Sequence, residues 1–90
     1  MLKIQINEKL GELKVYSQGK TLPKAYVKVF CKESGGAEVF FKDGYTDIRG
    51  KFEYASASGT DLTGIQKFAI LVSHDNYGQV IKEAKNPNDM

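Results

Sequence analysis

Hydrophobic and polar residues alternate along most of this 90-residue chain, in short segments that end at glycine, aspartate, asparagine or serine. This period of two is typical of β-strands with one buried face, because successive side chains of a strand point to opposite sides. The clearest segment runs from Ala25 to Lys32. Its small and apolar residues are predicted to face a core, and the residues between them are predicted to face outward.

About seven such segments follow one another at a spacing of about 8–12 residues, which is typical of an antiparallel sandwich or barrel. They cover residues 2–6, 13–17, 25–32, 38–42, 51–55, 67–73 and 79–84. Asp43-Gly44 has the composition of a two-residue turn, so a hairpin is predicted there, with residues 45–48 returning briefly. Only residues 56–64 are compatible with helix, for about one turn.

Composition adds few restrictions beyond a single domain over residues 1–90. Hydrophobic residues make up 41% and charged residues 27%, with a formal net charge of +2, which fits an ordinary globular domain. So small a charge argues against a nucleic-acid partner. The sequence contains no run of 18 apolar residues, so no membrane-spanning helix is predicted. Residues 86–90 are polar and contain Pro87, so a frayed tail is expected.

The compartment stays open at this stage. The first eight residues alternate and lack the apolar stretch of a secretory signal. One cysteine cannot form an internal disulfide. Both observations favour an intracellular protein, and an extracellular location remains possible if the chain is a module of a longer protein.

Two stretches, residues 19–29 (GKTLPKAYVKV) and 46–54 (TDIRGKFEY), combine a turn with a strand. In the second, Asp47 is expected to accept backbone N–H bonds from two residues on, Gly50 to take a positive φ and Phe52 to enter the core. Together the two stretches resemble transthyretin-like sandwiches, which include carboxypeptidase regulatory-like domains and the B-type repeats of collagen adhesins. The core of the resemblance covers residues 10–85. It implies an all-β, antiparallel seven- or eight-stranded β-sandwich, prealbumin-like, with at most one short helical turn.

Enzymes that share this kind of sandwich use residues that the chain lacks. The resemblance includes hydroxyisourate hydrolases, which use several histidines and a C-terminal Tyr-Arg-Gly-Ser, and intradiol dioxygenases, which bind iron through two tyrosines and two histidines. His74 is the single histidine here. Ser73, His74 and Asp75 are adjacent, so on a strand they point to alternate faces and cannot form a triad by themselves. Cys31 shares the predicted core face and is interpreted as a small buried hydrophobe. We therefore predict no enzyme activity, no metal and no cofactor.

The candidate binding residues are aromatic and basic side chains on the predicted outer sheet face. They are Tyr16, Tyr26, Lys28, Phe30, Lys32 and Phe40. Aromatic side chains bring large apolar area at low entropic cost, so they suit partner recognition. Lys14 and Lys42 are expected to extend the same face. Alternatively, the aromatics form a cross-strand ladder that stabilises a solvated sheet, or Leu2, Ile4 and Ile6 cover part of the face.

These observations predict a non-catalytic module for protein–protein interaction or structural assembly, which is part of a larger protein. Its partner, or a second copy, would bind the outer face or add to an edge strand. The alternative is a small-ligand or carbohydrate-binding module. A small ligand would bind in a pocket at the end of the sandwich, around Asp47, His74 and Asp75, and a carbohydrate would stack on Tyr16 and Tyr26. The absence of tryptophan argues against the carbohydrate version.

Overall fold

Eight β-strands form two antiparallel sheets in the computed structural model, which describes residues 2–55 and 64–86. The strands are β1 (Leu2–Asn7), β2 (Glu12–Ser17), β3 (Lys20–Thr21), β4 (Tyr26–Glu33), β5 (Glu38–Tyr45), β6 (Lys51–Glu53), β7 (Ile65–His74) and β8 (Gly78–Lys85). The described residues contain no helix. The helical turn predicted within residues 56–64 lies outside the described residues, Gly64 excepted.

The first sheet is built around β2. Strand β1 pairs with the whole length of β2, and β3 and β6 pair with different parts of its other edge. The second sheet has the order β5-β4-β7-β8, with every neighbouring pair antiparallel. Its two central strands, β4 and β7, alternate regularly between buried and partly exposed residues, because one face of each lies against the core.

The core lies between the two sheets and follows the predicted alternation. Val27, Val29 and Cys31 of β4 are at most 4% exposed, and Ala25 just before the strand is fully buried. Leu13 and Val15 of β2 and Phe68, Ile70 and Val72 of β7 complete the contact from both sheets. The predicted all-β sandwich and the inward face of β4 are confirmed.

The hairpin predicted at Asp43-Gly44 is wrong, since both residues lie inside β5. Gly44 pairs with Val27 of β4, and a Cβ atom at Gly44 would lie 2.8 Å from Cε1 of Phe52. The ring of Phe52, which comes from the opposite sheet, occupies the space above this glycine. The glycine therefore serves side-chain packing between the sheets and does not form a turn.

A β-bulge interrupts the pairing of β4 with β5. Phe30 pairs with Phe40, but Val29 pairs with Lys42, so Phe41 is an extra residue of β5. An extra residue shifts the alternation by one position. Lys42 consequently shares the inner side with Val29, where its Nζ donates to the backbone oxygen of Glu53 at 2.8 Å. The expectation that Lys42 extends the outer face is wrong.

The turn between β5 and β6 forms as its sequence predicts. Asp47 Oδ1 accepts N–H bonds from Arg49 at 2.8 Å and Lys51 at 3.0 Å, and its Oδ2 lies 2.9 Å from the Arg49 guanidinium. The Lys51 backbone bond and the Arg49 side chain lower the pKa of Asp47 from its ordinary value. Gly50 has a φ of +74°, and a Cβ there would lie 2.8 Å from the backbone oxygen of Val15. Only glycine fits this close approach to β2.

Thr46 joins the two stretches that carry the family resemblance. Its Oγ1 accepts the N–H of Ala25 at 2.9 Å and donates to the carbonyl of Leu22 at 2.7 Å. The backbone of Thr46 also bonds to Lys24 and Ala25. Thr46 is 4% exposed, so its hydroxyl satisfies buried backbone groups at the entry to β4 that water does not reach freely.

Candidate interaction surface

The outer face of the second sheet is the side that points away from the core. The strand registers assign to it four residues from each strand. They are Tyr26, Lys28, Phe30 and Lys32 of β4; Glu38, Phe40, Asp43 and Tyr45 of β5; Lys67, Ala69, Leu71 and Ser73 of β7; and Gln79, Ile81, Glu83 and Lys85 of β8.

Two aromatic pairs connect β4 to the edge strand β5 on this face. The ring centroids of Tyr26 and Tyr45 lie 5.6 Å apart, and those of Phe30 and Phe40 lie 6.3 Å apart in an edge-to-face arrangement. Such pairs contribute about 0.5–1.5 kcal/mol beyond their buried area. Lys28 lies between the two pairs and places its Nζ 5.2 Å from the Phe30 ring centroid. The β4 members are half-buried, while Tyr45 and Phe40 remain 66% and 54% exposed.

The apolar surface continues from the aromatic pairs across the sheet to β8. Phe30 pairs with Ala69, and Lys28 pairs with Leu71, which in turn pairs with Ile81. Ile81 is 70% exposed although it belongs to a regular strand. We call Phe30, Phe40, Ala69, Leu71 and Ile81 the apolar strip.

Charged and polar groups border the apolar strip at both ends. At one end Tyr26 donates its hydroxyl to Asp43 at 2.8 Å, and this hydrogen bond raises the pKa of Tyr26. At the other end Lys67 forms an ion pair with Glu83 at 2.9 Å, which lowers the pKa of Glu83. Both pairs are solvent-exposed and contribute little to stability. An apolar centre with a polar rim is the arrangement found in protein–protein interfaces.

Five of the six candidate residues lie together on this face, namely Tyr26, Lys28, Phe30, Lys32 and Phe40. Tyr16 does not join them, because β2 belongs to the other sheet, where Tyr16 pairs with Lys3 and Thr21. Its hydroxyl donates to Gln5 Oε1 at 3.3 Å. Lys14 is also on β2 and is likewise separated from the outer face. Alternation predicts which side of a strand a residue occupies, but not which sheet the strand joins.

The first strand does not cover the outer face. Leu2 is 4% exposed and belongs to the core, and Ile4 and Ile6 pack against it from the first sheet. The suggestion that these three residues shield the aromatic residues of β4 is wrong.

Several outer-face residues were missed by the sequence reading. The sequence predicts a turn at Asp43 and a separate short strand from Tyr45, which does not place these two residues beside Lys28 and Tyr26. Ile81 and Leu71 carried a usable signal, because each occupies an outward position in a strand that was predicted correctly.

His74, the single histidine considered for catalysis, contacts residues of its own turn. His74 Nδ1 accepts the N–H of Asn76 at 3.1 Å, and the imidazole lies 5.1 Å from the Tyr77 ring centroid. Cys31 is buried, and burial raises the pKa of its thiol. Within residues 2–55 and 64–86, no three His, Cys, Asp or Glu side chains form a group that could hold a metal ion. The absence of catalysis, metal and cofactor stays a prediction.

Within the described part of the chain, no helix combines the length and the apolar character that crossing a membrane requires.

Two antiparallel sheets that enclose one core define an immunoglobulin-like β-sandwich domain. The chain belongs to the family of AbpF C-terminal domains, whose sequence model matches residues 1–89. It is similar to "Actin-binding protein F" of Dictyostelium discoideum, with 48% identity over 88 residues. That match covers 96% of this chain and 4% of the relative. No solved structure matches at a significant level.

Proposed function

We propose that this chain is a non-catalytic protein-interaction module of a larger protein, and that it binds its partner through the outer face of the second sheet. The observation that carries the proposal is the apolar strip, with Phe40 and Ile81 more than half exposed and Tyr45 beside it. The relative supports the modular part of the proposal, because this domain corresponds to 4% of its length.

Exposure favours binding over a purely stabilising ladder. A ladder needs contact between neighbouring rings, and the half-buried Tyr26 and Phe30 already supply it. The exposed parts of Phe40, Tyr45 and Ile81 add nothing to folding. Buried against a partner, each would contribute about 2 kcal/mol at about 25 cal/mol per Å² of apolar area. This is the size of contribution that marks the central residues of protein interfaces.

Actin is the first partner to test, because the relative is named as an actin-binding protein. We expect purified domain to sediment with actin filaments, and a variant carrying Phe40→Ser and Tyr45→Ser to bind at least tenfold more weakly. Both substituted residues are exposed, so the variant should keep its fold by circular dichroism. Tyr16→Ser is the matched control, since it removes an aromatic side chain from the other sheet.

If actin does not bind, the wild-type domain, the Phe40→Ser, Tyr45→Ser variant and the Tyr16→Ser control are compared as bait in a quantitative capture from cell lysate. Sedimentation velocity measures the self-association of the same three proteins. A partner that the outer-face variant loses and Tyr16→Ser retains supports the proposal. Binding that is equal for all three proteins would place the interface elsewhere.

No observation favours the carbohydrate alternative. Tyr16 and Tyr26, the expected sugar platform, belong to different sheets, and the neighbouring rings of Tyr26 and Tyr45 are inclined at 58° to one another. Asp47 and His74, the proposed ligand residues at the end of the sandwich, bond to their own turns.

We also propose that the sandwich is transthyretin-like in its details. The contact of Thr46 with Leu22 and Ala25 supports this, because it joins the two stretches that carry the resemblance. The Thr46 variants described in the Discussion measure how strongly the fold depends on that contact.

A further inference from the structure

The two sheets are closed at one end of their shared side and open at the other. Strands β1 and β8 border this side, one from each sheet. At the closed end, the carboxylate of Glu8, which follows β1, accepts the backbone N–H of Lys85 at 2.5 Å. Toward the other end a groove of about 700 Å³ separates the strands.

Leu2, Ile4, Tyr77 and Val80 supply the apolar lining of this groove, and all four belong to or pack against the core. Lys82 also borders it. The register pairs Lys82 with the buried Ile70, so Lys82 is on the core-facing side of β8, yet it is exposed. A lysine on that side can remain in water only because the sheets diverge there.

The backbone of β8 offers hydrogen-bonding groups along the groove. The N–H of Lys85 bonds to Glu8 and therefore points away from β7. In a regular antiparallel ladder the direction alternates from residue to residue, and β8 pairs with β7 without a register shift. Gln79, Ile81 and Glu83 thus direct their N–H and C=O groups to the edge. No strand among the described residues pairs with that edge.

The charges that line the groove indicate what kind of molecule would bind in it. Among the described residues, Lys3 and Lys82 are the charged ones that line the groove, and none of the lining residues is acidic. A second copy approaching by the same edge would bring two more lysines, while the acids of this edge, Glu8 and Glu83, already bond to the N–H of Lys85 and to Lys67. An extended segment with a carboxylate side chain would pair with both the backbone and the lysines.

We propose that the groove between β1 and β8 binds an extended, acidic peptide segment of a partner protein, which adds to β8 as a strand. Apolar side chains on one face of the segment contact Leu2, Ile4 and Val80, and a carboxylate lies near Lys3 and Lys82. This site is separate from the outer face, so each can fail without the other.

The probe is a fluorescein-labelled octapeptide, Thr-Val-Thr-Val-Thr-Glu-Thr-Val, with blocked ends, in which the glutamate shares one face with the valines, as Lys82 shares the core-facing side of β8 with Val80. Fluorescence anisotropy measures its affinity for the full chain. We expect it to bind about threefold more tightly at low salt than the same peptide with lysine in place of glutamate, as one exposed charge pair allows. The variant Lys82→Glu, at an exposed position, should reverse that preference. Equal affinities for both peptides, in wild type and variant, would overturn the charge argument.

Strand addition has its own test. Ile81→Pro removes an N–H that points to the edge and leaves the bonds to β7 intact, which is the situation in which edge strands tolerate proline. We expect it to weaken peptide binding about fivefold, as the loss of one hydrogen bond predicts. Ile81→Ala is the control, since it loses the same side chain and keeps the N–H.

Equal binding by the proline and alanine variants, with the fold verified by circular dichroism, would refute strand addition. A dimer in sedimentation velocity that the peptide cannot dissociate would instead show that a second copy occupies the edge, and would overturn the proposal. The double variant Phe40→Ser, Tyr45→Ser should bind the peptide as the wild type does, which separates this result from that of the proposed function.

Discussion

Replacing Thr46 by valine should destabilise the domain more than its small change in volume suggests. Valine has nearly the same shape, so the packing is kept and only the hydroxyl is lost. The hydroxyl accepts the N–H of Ala25 and donates to the carbonyl of Leu22. Thr46→Val therefore leaves two backbone groups without their partner while adding no cavity.

The magnitude follows from where those two groups lie. Ala25 is fully buried, so its unpaired N–H costs about 1–3 kcal/mol. Leu22 is half-buried, and water can compensate part of the loss at its carbonyl, which leaves about 0.5–1 kcal/mol. The sum is about 1.5–4 kcal/mol. A domain of this size has a total stability of about 5–14 kcal/mol, and the loss corresponds to a decrease in Tm of about 8–20 °C.

Urea unfolding followed by circular dichroism measures this difference. Thr46→Ser keeps the hydroxyl and loses one methyl group, so it should retain most of the stability. Thr21→Val makes the same chemical change at an exposed position and should alter the free energy of unfolding by less than about 0.5 kcal/mol. A Thr46→Val variant as stable as Thr21→Val would show that the hydroxyl does not hold the two stretches together.

Two further substitutions test the packing between the sheets. Gly44→Ala should lower the free energy of unfolding by about 1–3 kcal/mol, because the new methyl group would lie 2.8 Å from the Phe52 ring. The control in the same urea titration is Gly35→Ala, whose methyl group meets no described atom within 4 Å. Equal stability of the two variants would contradict the contact between Gly44 and Phe52. Tyr54→Phe should leave stability at pH 7 unchanged or higher, since the buried Tyr54 hydroxyl has no hydrogen-bond partner within the described part of the chain. Burial, followed by the charge of Glu8, raises the pKa of Tyr54 to about 12, so the wild type should lose stability as the pH rises from about 10 to about 12. The phenylalanine variant should lose less across that range in thermal melts, and parallel alkaline curves would argue against a buried Tyr54.

The sequence predicts most of the fold because the core strands alternate cleanly. In β4 each inward position holds a small or apolar residue, so its two faces can be assigned from the pattern alone. The turn at Asp47–Gly50 is also predictable, because its hydrogen bonds are local and because the positive φ of Gly50 favours glycine at that position. Local interactions leave a local signature in the sequence.

The errors concern interactions between residues that are distant in the chain. Asp43-Gly44 has the composition of a turn, and only the position of Phe52, eight residues after Gly44, shows why glycine is required inside a strand. Tyr16 alternates as regularly as Tyr26, and nothing in either segment indicates that the two strands join different sheets. The outer face could therefore be predicted for β4, but its full extent depends on the neighbours of that strand.

The bulge at Phe41 also affects how sequences of this family should be compared. Phe40 faces outward, whereas Phe41 packs against Phe68 with ring centroids 5.2 Å apart. An alignment that places a one-residue gap within β5 exchanges outward positions for inward ones over the rest of the strand. A substitution at an interface would then be scored as a substitution in the core. Reliable alignment of this domain with its relatives needs the residue count between Phe40 and Gly44 to be held fixed.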